Sequence, residues 1–482
     1  MNLPDSTNDN KPTIALTGAT GYIGNNLLKK LQKQANVIAL SRNGDQQENT
    51  ENVTWRSADL FSLADAEKGL EGADYAVYLV HSMMPSAKLT QARFEDMDLI
   101  LADNFAQAAK KNGVKQIIYL SGIMPNDTEE LSRHLKSRKE AEAVLGAYGV
   151  PVTTVRAGLI VGPKGSSFPI IKKLVKRLPM MLLPKWTRQK THPIALADVL
   201  HTLKGSIGSK RLSGETIDVG GPDVMTYREM IIDTAEVMGK KRRLVNVPFM
   251  TVNLSRLWVS VTTGTPKEMV YPLIESLVHP MVANPEQMDD ELSYGQISFK
   301  EAAKSALEQD ASRSKSKRDK TVSIPAISDV RSVQRVLLPD GKDAKWVADY
   351  YTKWLSVIGH PLIKTTTDSD YNARIYLLGK PMLELTYSKE RSTNQRSLYY
   401  ITGGLLIKLN EEPNRSRLEF RQIPNSQECL IAIHEYRPSL PWLIYTLTQA
   451  KVHILVMYLF KKHLLRLTNE KDQINSLLNS RL

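Results

Sequence analysis

Three glycines near the start of the chain have the spacing of a loop that binds phosphate groups. Gly18, Gly21 and Gly24 follow a short apolar run, residues 13–16, and precede a helical pattern over residues 22–34. Gly18 would permit a tight turn, Gly21 would let a pyrophosphate approach the backbone, and Gly24 would let the helix pack closely on the strand. The free N–H groups at the helix start would favour phosphate charge. An ordinary glycine-rich turn is the alternative, but the position between strand and helix favours a dinucleotide site, with these expected contacts: Gly18, Thr20, Gly21, Tyr22, Ile23 and Gly24.

An arginine follows the second predicted strand, at the point where a dinucleotide site recognises the adenosine ribose. This strand, residues 37–40, ends in Ser41 and Arg42. Sites that bind NAD usually have an acidic residue near this point, which binds the ribose hydroxyls. A guanidinium group instead suits a 2′-phosphate through charge-assisted hydrogen bonds. The sequence therefore predicts NADP(H) in preference to NAD(H), although an arginine that simply faces solvent is the alternative.

Further candidate residues follow the next three predicted strands. Asp59 and Leu60 come after residues 53–56, Val80 and His81 end the strand that begins at residue 75, and Ser121 follows residues 116–120. Asp59 could meet the adenine edge, and Val80 and His81 are expected beside the cofactor. Strands that alternate with helices at this spacing predict an α/β fold with a doubly wound parallel sheet.

Residues 11–310 resemble the extended and atypical short-chain dehydrogenase/reductases. The resemblance rests on the T-G-A-T-G-Y-I-G loop, on Asp59, on Ser121 and on Lys139 in the following helix, while residues 79–83 and 134–138 are similar to a bacterial atypical subgroup. It implies an NAD(P)-binding Rossmann domain with a small substrate lobe. It also implies that Ser121 polarises a carbonyl group and that Lys139 holds the ribose.

The sequence departs from this family at its general acid. Active members carry Tyr-x-x-x-Lys on this helix, and the position four residues before Lys139 is Leu135. Leucine cannot donate a proton. Tyr119, His81 and His134 are candidate donors by position only, and a packing or surface role is the more ordinary interpretation of each.

Two other stretches of the first domain carry candidate residues. Residues 163–193 are rich in Met and Leu, and the resemblance implies that such an insert lines the substrate cleft; plain core is the alternative. Residues 192–195, together with Asp198, resemble the stretch that re-enters the family's sheet. No H-E-x-x-H or other metal-ligand spacing occurs, so we predict no metal site.

A second domain is predicted after a polar, basic run. Residues 311–320 lack core-forming side chains, so we assign residues 311–323 as a linker and residues 324–482 as a separate domain. This domain reads as a strand, a helix, several short alternating strands and a long helix over residues 441–467, which predicts an antiparallel sheet. The order resembles the helix-grip fold of the polyketide-cyclase and START-type superfamily. That resemblance implies an apolar ligand cavity in an α+β domain.

The C-terminal helix raises the question of membrane contact. Residues 440–460 are long enough to span a bilayer, but Lys451 stands in their middle. A lysine there costs about 2.5–3.5 kcal/mol on insertion, which favours a packed helix. Peripheral membrane contact, helped by Lys461, Lys462 and Arg466, is the alternative.

Composition limits the remaining classes of function. The chain of 482 residues has a formal net charge of +13 and a single cysteine, Cys429, which excludes an internal disulfide. Residues 1–10 are polar and are predicted to be a disordered tail. Because the N-terminus has no apolar signal core and the single cysteine suits a reducing compartment, a cytoplasmic location is expected. No nucleic-acid motif accompanies the basic charge, and we predict no nucleic-acid partner.

Together these features predict an NADP(H)-dependent reductase or isomerase that acts on a small apolar carbonyl compound. A non-catalytic redox sensor or hydrophobic-ligand-binding protein that uses NADP(H) as a ligand is the alternative, and Leu135 favours it. Lipid transfer or membrane-associated assembly is a third class, which rests on the C-terminal helix alone.

Overall fold

The computed structural model divides the chain into two compact units. It describes residues 11–82, 87–125, 131–165, 167–247, 249–315, 329–409 and 415–479, without the side chains of 313–315 and 469–479. Met1–Met84 and Asp98–Lys320 form the first unit, and Pro85–Met97 and Thr321–Leu482 form the second. The predicted tail, residues 1–10, lies outside the described residues.

The chain up to Lys315 contains fourteen described strands and ten described α-helices. The strands are β1 (Thr13–Leu16), β2 (Asn36–Ser41), β3 (Val53–Ser57), β4 (Tyr75–Tyr78), β5 (Leu89–Gln91), β6 (Gln116–Gly122), β7 (Val152–Ala157), β8 (Ile160–Val161), β9 (Met180–Leu183), β10 (Lys190–Thr191), β11 (Ile194–Ala195), β12 (Thr216–Val219), β13 (Met225–Thr226) and β14 (Arg243–Asn246). The helices are α1 (Tyr22–Leu31), α2 (Leu63–Leu70), α3 (Phe94–Lys111), α4 (Arg133–Leu145), α5 (Phe168–Arg177), α6 (Leu196–Ser206), α7 (Tyr227–Val237), α8 (Val252–Thr263), α9 (Lys267–Ser276) and α10 (Phe299–Lys315).

The first unit is built on a seven-stranded parallel sheet. Its strand order is β12-β7-β6-β4-β1-β2-β3, and each neighbouring pair is parallel. The strands are apolar because helices cover the sheet, and Ile14, Val77, Ile118 and Val155 are completely buried. The predicted doubly wound α/β fold is confirmed, and the carboxyl ends of β1, β2, β3, β4 and β6 carry the candidate site.

The apolar insert after β7 forms the core of a small lobe. In α5, Phe168, Ile171 and Leu174 are buried with Trp186 in a cluster shared by α7, α8, α9 and α10. The resemblance had implied that these side chains line the substrate cleft. They instead pack against one another. The plain-core alternative holds for them, because an amphipathic helix in water buries its apolar face.

Helix α10 corrects the predicted start of the linker. Residues 311–315 continue this helix, so they are not the start of an extended tether. The helix is anchored by Ala302, Ala303 and Ala306 in the lobe core and by the ion pair between Lys172 and Asp310. Residues 316–328, which contain the rest of the predicted linker, lie outside the described residues.

The second unit is built on an eight-stranded sheet. Its further elements are β15 (Val330–Leu337), α11 (Ala344–Ile358), β16 (Ile363–Thr367), β17 (Ala373–Leu377), β18 (Lys380–Tyr387), β19 (Arg396–Gly403), β20 (Arg417–Gln422), β21 (Glu428–Tyr436), α12 (Trp442–Leu447) and α13 (Gln449–Asn479). The strand order is β16-β17-β18-β19-β20-β21-β15-β5. The predicted succession of strand, helix, antiparallel strands and long helix is observed, and membership of the helix-grip superfamily stays a prediction.

Strand β5 corrects the predicted domain boundaries. Pro85–Met97 falls inside the stretch assigned to the first domain, but it belongs to the second unit. The reason is that β5 pairs in parallel with β15, from Val330 to Ser332, while Arg335 forms an ion pair with Asp96 at 2.7 Å. Backbone pairing across such a sequence distance leaves no local pattern for sequence analysis to detect.

Helices α11 and α13 hold the core of the second unit. The Phe460 ring lies 4.9 Å from the Trp354 ring and 5.0 Å from the Tyr351 ring, measured between centroids. The predicted C-terminal helix is interrupted at Thr448, which adopts φ −118° and ψ −86°. Within the described part of the chain, one helical stretch, Trp442–Thr468, is long and apolar enough to cross a membrane.

Candidate functional site

The glycine loop between β1 and α1 has the geometry expected of a phosphate-binding loop. Gly18 adopts φ +65°, a conformation that side chains disfavour. A Cβ atom on Gly24 would lie 2.1 Å from the Gly18 carbonyl oxygen, so only glycine fits there. The Gly21 N–H donates to the same oxygen at 2.8 Å. The loop is therefore folded tightly onto the first turn of α1.

The amino end of α1 presents a favourable surface for an anion. Gly21 is the N-cap residue and supplies no side-chain acceptor, and the first turn contains no acidic residue. Its N–H groups and the positive end of the helix dipole are thus available to a phosphate. Of the other predicted contacts in this loop, Thr20 is exposed, and Tyr22 and Ile23 are partly buried. The Tyr22 ring packs against Gly162.

Thr17 fastens this loop to the neighbouring strand and was missed by sequence analysis. Its hydroxyl donates to the Val77 carbonyl at 3.1 Å and accepts from the Leu79 N–H at 2.9 Å. These bonds fix the carboxyl ends of β1 and β4 relative to each other. A threonine directly before the first glycine was the available signal.

The ends of β2 and β3 carry the predicted adenosine contacts. The Ser41 carbonyl accepts from the Ala58 N–H at 2.9 Å, and Arg42 is exposed at the strand end. The Asp59 carboxylate accepts from the Phe61 N–H at 3.1 Å, which organises the loop after β3. Leu60 is buried, so its side chain contributes to the core. Arg42 is thus the most accessible charged group among these residues.

A buried carboxylate lies beside the end of β4. The Asp98 side chain accepts from the Ser82 N–H at 2.5 Å and from the Ser137 hydroxyl at 3.1 Å. It thereby joins the loop after β4, which carries Val80 and His81, to helix α4. Sequence analysis did not single out Asp98, because its role depends on a tertiary contact between α3 and α4.

Helix α4 turns Arg138, and not Lys139, towards this carboxylate. Arg138 interacts electrostatically with Asp98 and Tyr119, whereas Lys139 is exposed. Leu135 is buried in a small apolar cluster with Ile123. The predicted contact of Lys139 with the ribose stays a prediction, and Arg138 is the α4 cation that lies next to Asp98 and Tyr119. One residue is about 100° of helix rotation, and this places Lys139 on the solvent side of α4.

Strand β6 carries two buried hydroxyl groups, those of Tyr119 and Ser121. The Tyr119 hydroxyl interacts with the Ser121 hydroxyl and with the Arg138 side chain. Burial raises the pKa of Tyr119, while the charge of Arg138 acts in the opposite direction. Tyr119 is consequently a neutral O–H donor at physiological pH, with a cation next to it.

Two histidines near this cluster are held in their neutral form. Burial, and then the charge of Arg138, lower the pKa of His134 to about 3. The same two causes lower the pKa of His81, although its side chain is exposed and the effect of burial is correspondingly smaller. Neither ring is an acidic imidazolium near pH 7, so Tyr119 and Ser121 are the better candidates for proton donation in this cluster.

His192 and Asp198 have structural positions outside the cluster. The His192 Nε2 atom lies 2.7 Å from the Gly221 carbonyl oxygen, and its ring fills the space where a Cβ on Gly220 would be. Asp198 accepts from the Ile297 N–H at 3.2 Å. Both residues hold the re-entrant stretch in place. Across the residues that the structure describes, no group of three or more His, Cys, Asp or Glu side chains could hold a metal ion.

Comparison with known proteins assigns a cofactor class to the first unit. A family model described as NAD(P)H-binding matches residues 18–176, which is less than half of the chain. Those residues contain the glycine loop, Arg42, Asp59 and the Tyr119–Arg138 cluster. Among solved structures, a nucleoside-diphosphate-sugar epimerase from Staphylococcus aureus has a TM-score of 0.50 and 15% identity, covering 61% of this chain and 99% of that one. At this identity the match shows the fold alone.

Curated relatives match parts of the chain. The auxiliary protein GraX of Staphylococcus aureus is 36% identical over 145 residues, which are 30% of this chain and 43% of that protein. The mitochondrial NADH-ubiquinone oxidoreductase 40 kDa subunit of Neurospora crassa is 22% identical over 243 residues, 49% of this chain and 63% of that protein. The chain therefore covers less than two thirds of the length of both relatives.

Proposed function

We propose that this chain is an NADP(H)-dependent reductase or isomerase acting on an apolar carbonyl compound, starting from the NAD(P)H-binding Rossmann domain of its first unit. The observation that carries the proposal is the glycine loop. Gly24 leaves no space for a Cβ atom, and the first turn of α1 offers uncapped N–H groups to a pyrophosphate. The exposed Arg42 supports a preference for the 2′-phosphate of NADP(H).

The residues at the end of β6 support chemistry on a carbonyl group. The bound nicotinamide would supply or accept a hydride. A carbonyl oxygen that receives a hydride on its carbon becomes negative and needs a proton. We assign the proton to the Tyr119 hydroxyl, and we assign Ser121 and the Arg138 charge to stabilising the developing oxyanion. Because both hydroxyl oxygens are buried, a substrate must displace covering side chains to reach them.

A second candidate function has its own support. Leu135 occupies the position of the family's general acid, and it is fully committed to an apolar cluster. Together with the buried hydroxyl groups, this favours a protein that binds NADP(H) without turning it over, as a redox sensor does. For either function we propose a cytoplasmic location and an apolar ligand for the second unit.

Two measurements on the full-length protein separate these functions. Calorimetric titration with NADPH and NADH tests the cofactor site, and loss of NADPH absorbance is then followed with a panel of quinones, aldehydes and ketones. Turnover of any member above about 1 s⁻¹, the ordinary enzyme range, supports the reductase. Tight NADPH binding without turnover across the panel supports the sensor. Absence of binding to either nucleotide contradicts both.

A further inference from the structure

The outward face of helices α12 and α13 exposes more apolar side chains than packing within the second unit requires. In α13, Ala450, Met457, Phe460 and Leu464 face the core of the second unit and are buried. The opposite side exposes Val452, Leu455 and Tyr458 by 57%, 55% and 59%. On soluble proteins, exposed apolar side chains are normally isolated from one another or covered by other groups. A continuous exposed apolar face of this kind therefore indicates a binding partner.

The apolar face extends onto α12. Leu443 is 71% exposed, and Ile444 and Leu447 are each about half exposed. Two further exposed leucines, Leu405 and Leu409, lie in the loop that contacts the chain just before α12. The contact is a hydrogen bond, in which the Ser439 N–H donates to the Leu406 carbonyl at 3.1 Å. The result is a broad apolar surface, which consists of the outward residues of α12 and α13 and of these two leucines.

Within the apolar stretch Trp442–Thr468, all charged side chains have one sign. Trp442–Thr468 contains Lys451, Lys461, Lys462 and Arg466 and no acidic residue. All four cations are exposed, and three of them follow the apolar residues towards the carboxyl end of the described side chains. A protein interface usually places few charges at its centre and mixes signs at its rim, whereas a bilayer interface combines apolar side chains with Lys and Arg.

We propose that this face of α12 and α13 lies on the surface of a bilayer that contains anionic lipid. The outward leucine, valine and tyrosine side chains enter the headgroup and acyl boundary, and the four cations pair with lipid phosphates. The helices lie in the interface plane, because the inward face of α13 is required for the core of the second unit. This site is separate from the nucleotide site, and its occupation depends on no catalytic residue.

Flotation of the full-length protein with vesicles tests this surface. Vesicles of phosphatidylcholine alone are compared with vesicles of phosphatidylcholine and phosphatidylglycerol at three to one. We expect binding to the anionic vesicles, with about a fivefold loss of affinity for each of Lys461→Gln and Lys462→Gln. Val452→Ser/Leu455→Ser/Tyr458→Ser is expected to weaken binding at least about tenfold. Because these side chains are exposed, thermal unfolding of each variant should remain unchanged.

A matched control uses another apolar helix face. Leu254, Leu257 and Val261 of α8 are as exposed as the three α13 residues, so Leu254→Ser/Leu257→Ser/Val261→Ser should leave vesicle binding unchanged. Equal loss in both triple variants would overturn the proposal in favour of general hydrophobic adhesion. So would absence of binding, or a protein dimer that only the α13 variant dissociates. Retention in cell membranes after an alkaline carbonate wash would indicate a spanning helix and would also overturn it.

Discussion

The glycine loop and helix α4 lie at the same edge of the first unit's sheet, but they preserve the expected chemistry to different extents. In the loop, Gly18 and Gly24 have the backbone geometry that a dinucleotide requires. On α4, the expected lysine faces solvent, and Arg138 occupies the side that faces Tyr119. A site formed by backbone atoms depends on a few glycines, whereas a site formed by side chains can be rebuilt on the same scaffold.

The largest effect should come from a charge in the loop. Gly21→Asp places a carboxylate beside the pyrophosphate position, so NADPH affinity should fall at least about a hundredfold. The fold should persist, because aspartate is a favoured N-cap residue and Gly21 is the N-cap of α1. Calorimetry and thermal unfolding measure the two properties.

Gly21→Ala is the matched control for bulk without charge. Its Cβ atom would lie 3.0 Å from the Gly18 carbonyl oxygen, which requires only a small shift. We expect a smaller loss of affinity than for aspartate. Normal NADPH binding by the aspartate variant would show that the nucleotide binds elsewhere and would remove the contrast between loop and helix.

The next effect concerns the hydroxyl group that we assign as proton donor. Tyr119→Phe should lower the turnover of an accepted carbonyl substrate by about 10²–10⁴-fold, the contribution of a positioned general acid. The dissociation constant of NADPH should not change. Tyr75→Phe, at the opposite end of the sheet from the candidate site, is the control and should keep the wild-type rate. Equal rates for wild type and Tyr119→Phe would leave water or another group as the proton source.

These two predictions also show where sequence analysis succeeded. The glycines could be located because each has a local, steric reason, and the strands because their apolar runs are buried on both faces. Sequence analysis could not tell which residues of α4 face the site. The pair His134 and Arg138 has the same four-residue spacing as the pair Leu135 and Lys139. Only packing against β6 decides which pair faces the sheet.

Long-range contacts account for the other omissions. Thr17 and Asp98 act through hydrogen bonds to residues on other elements, 60 and 39 positions away for Val77 and Ser137. Strand β5 has three residues and pairs with β15, far along the chain. Such contacts leave no periodic pattern. Sequence analysis therefore predicted the α/β fold of the first unit and the order of elements in the second, but not that Pro85–Met97 belongs to the second unit.

A third prediction compares the two cations of α4. Arg138→Gln should lower turnover about 10–100-fold, because the developing oxyanion loses a partly buried neighbouring charge, while Lys139→Gln should have little effect. Arg138→Lys keeps the charge and should restore part of the rate. If Lys139→Gln caused the larger loss in steady-state kinetics, Lys139 would have the role that the resemblance to the short-chain dehydrogenase/reductases implies.

A fourth prediction tests the exposed arginine at the end of β2. A hydrogen bond to a charged group contributes about 1.5–3 kcal/mol, so the wild type should bind NADPH at least about tenfold more tightly than NADH. Arg42→Ala should reduce that ratio to near one by weakening NADPH alone. Lys29→Ala, on the last turn of α1, is an exposed control of the same charge. A wild type with equal affinities for the two nucleotides would refute the NADP(H) assignment.

The smallest effect is expected in how the free energy of unfolding depends on pH, and it concerns His134 of α4. The pKa of His134 is lowered to about 3, mainly by burial and then by Arg138, whereas an unfolded histidine titrates near 6.5. Between these values the unfolded chain binds a proton that the folded chain excludes, so the free energy of unfolding falls as the pH falls below about 6.5. His134→Gln removes this proton uptake. The variant should therefore lose less stability than the wild type between pH 7 and pH 5, by about 1–2 kcal/mol.

Chemical unfolding at several pH values measures the difference, and His201→Gln, a substitution of an exposed histidine on α6, should reproduce the wild-type slope. A slope that both variants share with the wild type would mean that His134 is solvated in the folded protein. The contrast between the glycine loop, which has the expected geometry, and the face of α4, which does not, would then rest on Arg138 and Tyr119 alone.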